Sequence, residues 1–267
     1  MKPLALLEKN DVENLRGVFF DLDDTLLTHG VLTRVAYDAL WSLHDAGLAL
    51  VAVTGRPSGW GELLVRQWPI RGAVTENGAI HIVRTEAGVE VEGDAPPDEM
   101  RARRSRLDAI ALAVAKVVPE APLTDDTSAR RADIAWDIGE KCKVPKDRAD
   151  LLARVVAEHG ARSTRSSVHA HATFSRDDKA SGAVRFAEKH FGQDAGSVLH
   201  TWAFLGDSGN DAPCFAAFRK TFGVANVARY VSDLNVTPRW IAEKAMGEGF
   251  AEIAAALLER RGARVSA

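Results

Sequence analysis

Residues 18–27 read VFFDLDDTLL: two apolar runs around three carboxylates, Asp21, Asp23 and Asp24. Negative charge clustered at the end of a buried strand is costly unless something positive sits among it. The stretch therefore predicts a core strand whose carboxyl end carries a charged site. Working outward, LRGVFFD (15–21) is apolar without helical periodicity and reads as that strand. Residues 33–46 read as a helix, with Thr33 as its cap, Val35, Leu40 and Leu43 on one face and Gly47 as its stop. LALVAVT (48–54) is a second apolar strand, 58–68 a helix capped by Ser58, and GAVTENGAIHIV (72–83) a strand, a turn at Asn77-Gly78 and a strand. Strands apolar throughout and alternating with helices predict a parallel sheet covered on both faces, an α/β, Rossmann-like core.

The middle of the chain differs. Residues 84–100 are polar, rich in Gly and Pro, and read as a hairpin or loop. An amphipathic helix over 101–118 carries Leu107, Ile110, Leu112, Val114 and Val117. RADIAWDI (131–138) and SSVHAHATF (166–174) alternate like strands with one open face, around a helix over 145–159. This α+β pattern predicts an inserted module over 83–176, with the core formed by 1–82 and 177–267. The first pattern then returns: a helix over 180–191, the strand TWAFLGD (201–207), a short helix over 209–218, the strand KTFGVAN (220–226) and a C-terminal helix.

The totals set bounds. The chain has 267 residues, 46% of them hydrophobic, which suffices for a sizeable core and a two-part chain. A net charge of −3 without basic clusters argues against a nucleic-acid surface, and no apolar run reaches the ~20 residues that cross a bilayer. Cys142 and Cys214 have no metal-type spacing, and the N-terminus has no cleavage site after its apolar patch. A cytoplasmic protein with free thiols, monomeric or homodimeric, without nucleic-acid or membrane partners, is expected.

Four features stand at the carboxyl ends of the predicted core strands, or at a helix start beside them. They are Asp21, Asp23 and Thr25; Thr54-Gly55-Arg56; Lys179; and GDSGND (206–211). Ligands bind at the carboxyl ends of strands in open parallel sheets. Four carboxylates (Asp21, Asp23, Asp207, Asp211), an ammonium and a hydroxyl brought together there suit Mg²⁺ with a phosphate dianion.

The ordered set DLDDT, TGR, Lys179 and GDSGND resembles the four motifs of the haloacid dehalogenase superfamily of aspartate-nucleophile phosphatases. The insert, with ENGA (76–79) and GEGFAEI (247–253), is similar to the large α+β cap branch that contains Cof-type, sucrose-phosphate, trehalose-phosphate and mannosyl-3-phosphoglycerate phosphatases. The resemblance implies a Mg²⁺-dependent hydrolase of a small phosphorylated metabolite, above all a sugar phosphate such as mannosyl-3-phosphoglycerate. It implies Asp21 as nucleophile and Asp23 as general acid and base. Thr54, Gly55 and Lys179 would hold phosphoryl oxygens. Asp21, Asp23 through its carbonyl, Asp207 and Asp211 would make the metal site, supported by Asn210 and Thr25. Asp24 is read as a solvated turn residue.

Substrate contact is weighed against a plain structural role for Asn77, Arg56, Arg131, His169 and His171, the two histidines sharing one strand face. Arg130 and Asp133 are further polar positions on the cap, and Trp60 and Trp136 are the tryptophans to consider for sugar stacking. The alternatives are a phosphomannomutase-like phosphoryl transfer and a catalytically silent protein that binds a phosphorylated metabolite.

Overall fold

The computed structural model describes residues 1–165 and 168–262. The chain opens with a short strand, β1 (Lys2–Pro3), and one helical turn, α1 (Lys9–Val12). β2 (Gly17–Phe20) is buried along its whole length. It leads through α2 (Arg34–Asp45), β3 (Ala49–Val53), α3 (Ser58–Gln67) and β4 (Gly72–Thr75) to a hairpin of β5 (Ile80–Thr85) and β6 (Gly88–Gly93). The insert follows as α4 (Pro97–Val117), β7 (Asp133–Asp137), α5 (Lys146–Glu158), β8 (Arg162–Arg165) and β9 (His169–Thr173). The return runs through α6 (Lys179–Phe191), α7 (Ala195–Thr201), β10 (Trp202–Gly206), α8 (Ala212–Ala217), β11 (Lys220–Gly223), β12 (Trp240–Ile241) and α9 (Met246–Arg261).

The described residues form a nine-stranded sheet, ordered β1-β12-β11-β10-β2-β3-β4-β5-β6, and a three-stranded sheet, ordered β7-β9-β8. The large sheet is parallel from β1 to β4 and antiparallel at β4–β5–β6. Alternate residues of its central strands feed two cores. Val18, Phe20, Leu50 and Ala52 meet α2, α3 and α9, while Phe19, Val51 and Val53 meet α6, α7 and α8. Both faces are thus covered, as continuously apolar strands require.

In the small sheet, Ile134, Trp136, Ala170 and Ala172 pack on Leu107, Ile110 and Val114 of α4 and Leu152 and Val156 of α5. The opposite face carries Asp133, Asp137, His169 and His171, and these are buried too. The expectation of an open, solvated face on this sheet is therefore corrected: its polar side is covered from the direction of the large sheet. Trp136 belongs to the insert's own core, which removes it as a stacking platform.

Several local expectations shift. β6 lies within 83–176 yet extends the large sheet. Ala36, Ala39, Leu40 and Leu43 define the buried stripe of α2, an i, i+3, i+4, i+7 set that leaves Val35 exposed. The same geometry exposes Leu112 and Val117 of α4. Ser58 is the first residue of α3 rather than its cap, and its hydroxyl donates to the Ala129 carbonyl. Thr33 holds the N-cap position of α2 without a side-chain capping bond. α7 is an element the sequence reading passed over. Ser166 and Ser167 of the predicted strand 166–174 lie outside the described residues, and β9 begins at His169. Cys142 and Cys214 are free thiols. Among the described residues, no helix is long and apolar enough to cross a membrane.

Candidate active site

β2 and β10 lie side by side, with Phe20 opposite Leu205. The chain leaves β2 towards β3 and β10 towards β11, on opposite sides, so the strand order reverses here and a crevice opens at the carboxyl ends. Asp21 is the first residue past β2, its N–H donating to the Leu205 carbonyl at 2.9 Å. Asp207 is the first residue past β10. Lys179, the first residue of α6, reaches into the same crevice and donates to Asp21 Oδ1 at 2.6 Å and Asp211 Oδ1 at 2.7 Å. Its ammonium and all three carboxylates are buried.

Asp211 is saturated from two sides. Its Oδ1 accepts a hydrogen bond from the Lys179 ammonium, and its Oδ2 accepts from the backbone N–H groups of Asp207 and Ser208 at 2.9 and 3.2 Å. Gly206 permits this, because a Cβ there would stand 2.5 Å from Asp211 Oδ2. Asp207 is held by Thr25, whose hydroxyl donates to Oδ1 at 3.1 Å, and by Asn226, whose amide donates to Oδ2 at 2.8 Å. The same amide also donates to the Asp24 carbonyl, and Asn226 Oδ1 accepts from Met246 N–H, so one asparagine ties three loops. Asp24 itself is half-buried at positive φ in the turn after β2.

Burial dominates the electrostatics. It pushes the Asp21 carboxyl up to about 7, with Lys179 opposing and Asp211 and Asp23 adding to the rise. Burial and the neighbouring Asp211 and Asp21 push Asp207 up to about 9. Burial alone would lower the Lys179 ammonium, but Asp21 and Asp211 outweigh it and hold the group charged. Asp21 and Asp211 share one ammonium with Asp207 beside them, and one oxygen from each of Asp21, Asp207 and Asp211 lies within 4.8 Å of the other two. An all-oxygen set of this size with surplus negative charge fits a hard divalent cation such as Mg²⁺.

On the β3 side, Thr54 is buried, with its Oγ1 accepting the Arg56 N–H at 3.0 Å. The hydroxyl proton is thereby left to donate. Arg56 grips Asp23 through two bonds of 2.8 Å, a fork on a carboxylate, and its guanidinium lies 4.5 Å from the Trp60 ring. Trp60 thus supports Arg56. Asn77, at φ +54°, packs beneath Gly55, where a Cβ would meet its amide at 3.1 Å.

A cavity of about 380 Å³ sits above these groups. Its floor is Asp21, Asp23, Gly55, Arg56, Asp207, Ser208 and Asn210, and its roof is Gly139, Glu140, Val168, His169 and His171. His169 and His171, expected on one strand face, stand together over the floor. His169 Nε2 lies 2.9 Å from Glu140 Oε2. His171 Nδ1 lies 2.9 Å from Asp133 Oδ2. Burial, with Arg130 and His169 nearby, lowers the His171 pKa. Burial works against the Asp133 anion, but Arg130 and His171 hold its carboxyl low. An ionised Asp133 only accepts, so Nδ1 carries the proton and the neutral ring keeps Nε2 as an acceptor.

Arg131 does not join this cavity; its side chain is half exposed and pairs with Glu62 at 2.8 Å. Arg130 is buried and braces the roof, donating to Asp133 at 2.9 Å and to the Gly55 carbonyl at 3.1 Å. Three contributors escaped the sequence reading: Glu140 in the roof, Asn226 behind Asp207, and Glu76. Glu76, buried at φ +52°, accepts from the N–H groups of Ser58, Arg131, Ala132 and Asp133 and so fastens the insert to the large sheet. Asn226 carried a signal, since it lies in the loop past β11 as Asp21 and Asp207 lie past β2 and β10, whereas Glu76 reads as an ordinary residue of the ENGA turn.

Comparison with known proteins bears out the resemblance. Residues 18–94 match the family model of haloacid dehalogenase-like hydrolases, the superfamily of enzymes indicated by the motifs. No curated protein sequence matches the chain. Solved structures share its fold. A protein of Thermoplasma acidophilum superposes with a TM-score of 0.72 at 17% identity, covering 91% of this chain and 98% of its own. The sucrose-phosphatase of Synechocystis sp. PCC6803, solved with sucrose and phosphate, gives 0.65 at 16% identity over 91% and 97%. The C-terminal domain of trehalose-6-phosphate phosphatase from C. albicans gives 0.67 at 14% identity over 99% of both chains.

Proposed function

We propose that the protein is a Mg²⁺-dependent phosphomonoester hydrolase acting on a small phosphorylated sugar, with 1–82 and 177–267 as its catalytic body and 83–176 as a cap. One observation carries the reading: buried Asp21, Asp207 and Asp211 cluster around a single ammonium, which pairs with Asp21 and Asp211, and Asp21 and Asp207 face a cavity of about 380 Å³. Such a cluster has charge to spare for a cation and, with it, a phosphate.

Asp21 attacks phosphorus, forming an Asp–O–P bond as the ester P–O bond breaks. Asp23 acts as general acid once it leaves the Arg56 fork and takes up a proton from solvent: it gives that proton to the leaving alkoxide, then takes one from the water that attacks the aspartyl-phosphate. The P–O bond to Asp21 breaks, releasing inorganic phosphate. Lys179, fixed between Asp21 and Asp211, offsets charge on the phosphoryl oxygens, and the Thr54 hydroxyl donates to one of them. Arg56 holds the Asp23 carboxylate at the cavity floor before it is protonated. Asp21, the Asp23 carbonyl and Asp207 would hold the cation, which would supply neutralising charge. The roof suits a polyol: the His171 acceptor and the Glu140–His169 pair offer hydrogen-bond partners to hydroxyls, and a cavity of this volume excludes macromolecules.

The test is hydrolysis of a panel of phosphorylated sugars, mannosyl-3-phosphoglycerate among them, beside nucleotides and pyridoxal phosphate, with Mg²⁺ and with chelator. Sugars should lead, and both chelator and Asp21→Asn should abolish turnover. A nucleotide or pyridoxal phosphate ahead of every sugar would overturn the substrate class. Unchanged turnover in Asp21→Asn would overturn the nucleophile.

A further inference from the structure

The far edge of the large sheet holds a second group of potential ligands, unrelated to the crevice. His81 and Glu92 are directly opposed partners on β5 and β6. α6 packs over this face, with Phe186 against the His81 ring and His190 one turn further on. One donor atom from each of His81, Glu92 and His190 lies within 4.8 Å of the other two. The His190 Nε2 to Glu92 Oε2 separation is 3.4 Å. Ligands held ~2.1 Å from a tetrahedral ion stand about 3.4 Å apart, so little movement is needed to close such a set.

The histidines look prepared for an acceptor-seeking guest. His81 Nε2 lies 3.0 Å from the Gly182 carbonyl, which can only accept, so Nε2 carries the ring's proton. That leaves Nδ1 with a lone pair, and this atom is buried without a hydrogen-bond partner. His190 Nε2 is buried and makes no well-formed hydrogen bond, with Glu92 Oε2 nearest at 3.4 Å. A buried lone pair left unmatched costs free energy. An imidazole fixed by a backbone carbonyl at one nitrogen and open at the other is the arrangement that metal-binding histidines adopt. Burial, with Arg185 and His190 nearby, lowers the His81 pKa to about 3, which keeps the ring neutral as ligation requires.

We propose that His81, Glu92 and His190 form a binding site for a divalent transition metal of the zinc class, which staples the β5–β6 hairpin to the end of α6. Two imidazoles and one carboxylate select Zn²⁺ or Co²⁺ over Mg²⁺. Lys189, a half-exposed residue that donates to Glu92 Oε2 at 2.7 Å, swings to solvent when the metal enters. Arg185, the other nearby cation, is already paired with Asp177 at 2.8 Å. The site is structural, and Mg²⁺-dependent turnover is independent of it.

The experiment titrates Co²⁺ into chelator-stripped full-length protein carrying Asp207→Asn, which weakens the crevice as a competing site. Visible d–d bands that saturate at one equivalent and are displaced by Zn²⁺ are expected. His190→Ala and Glu92→Gln, both at partly exposed positions, should each weaken binding at least about tenfold and remove the rise in melting temperature that Zn²⁺ gives. Absence of the bands, or bands of unchanged affinity in His190→Ala and Glu92→Gln, would overturn the proposal.

Discussion

The crevice between β2 and β10 and the seam between the large sheet and the insert make an instructive pair. Each centres on a buried carboxyl just past a strand of the same sheet, Asp21 after β2 and Glu76 after β4. Burial pushes both up to about 7. Their partners differ. Glu76 accepts four backbone N–H groups, three of them from consecutive residues of the insert, and needs nothing more. Asp21 shares one ammonium with Asp211, and Asp207 beside it is held by a hydroxyl and an amide. A buried carboxyl satisfied by backbone is mortar, whereas a group of them left short of positive charge is a receptacle.

The sharpest way to break this contrast is to exchange the two losses. Asp21→Asn should lower kcat by at least about a thousandfold while leaving the melting temperature unchanged or raised, since it removes a buried charge. Glu76→Ala should do the reverse. Four buried N–H groups lose their acceptor at about 1–3 kcal/mol each before water and relaxation compensate, so a net destabilisation of about 3 kcal/mol is expected in urea unfolding. Asn226→Ala, which releases Asp207 and the Asp24 carbonyl together, should raise the Mg²⁺ requirement about tenfold to a hundredfold. A smaller effect sharpens the comparison by pH. Asp21 and Asp207 hold protons up to about 7 and about 9 in the metal-free protein, and a cation must displace them. Mg²⁺ affinity should therefore rise through that window, measured by calorimetry. Glu76 titrates without a cation: its carboxyl is raised from 4.5, so the folded state binds the proton more tightly and stability falls as pH rises towards 7. That fall should vanish in Glu76→Gln.

Much of the crevice was legible because its residues break a local rule. Charge at the end of an apolar strand, as in VFFDLDD and TWAFLGD, contradicts its surroundings, and topology then gathers such ends. The seam obeyed local rules and stayed hidden. Glu76 reads as an ordinary turn residue, and three of its four partners are backbone N–H groups 55 to 57 positions away that no side-chain pattern announces. The polar face of β7 and β9 was visible as alternation, but alternation says only which residues share a face, not what covers it. Hence the sharing of one face by His169 and His171 was legible, while their burial as part of the roof required the large sheet to be in place.

The central claim, that Asp21 carries the phosphoryl group, is tested most directly by acid-quenching the enzyme in steady-state turnover of a sugar phosphate and sequencing its peptides by mass spectrometry. The account predicts a phosphoryl group on Asp21, within the tryptic peptide spanning 17–34, that disappears in Asp21→Asn. A phosphoryl group on any other residue, or Asp21→Asn protein that still turns over, would contradict it.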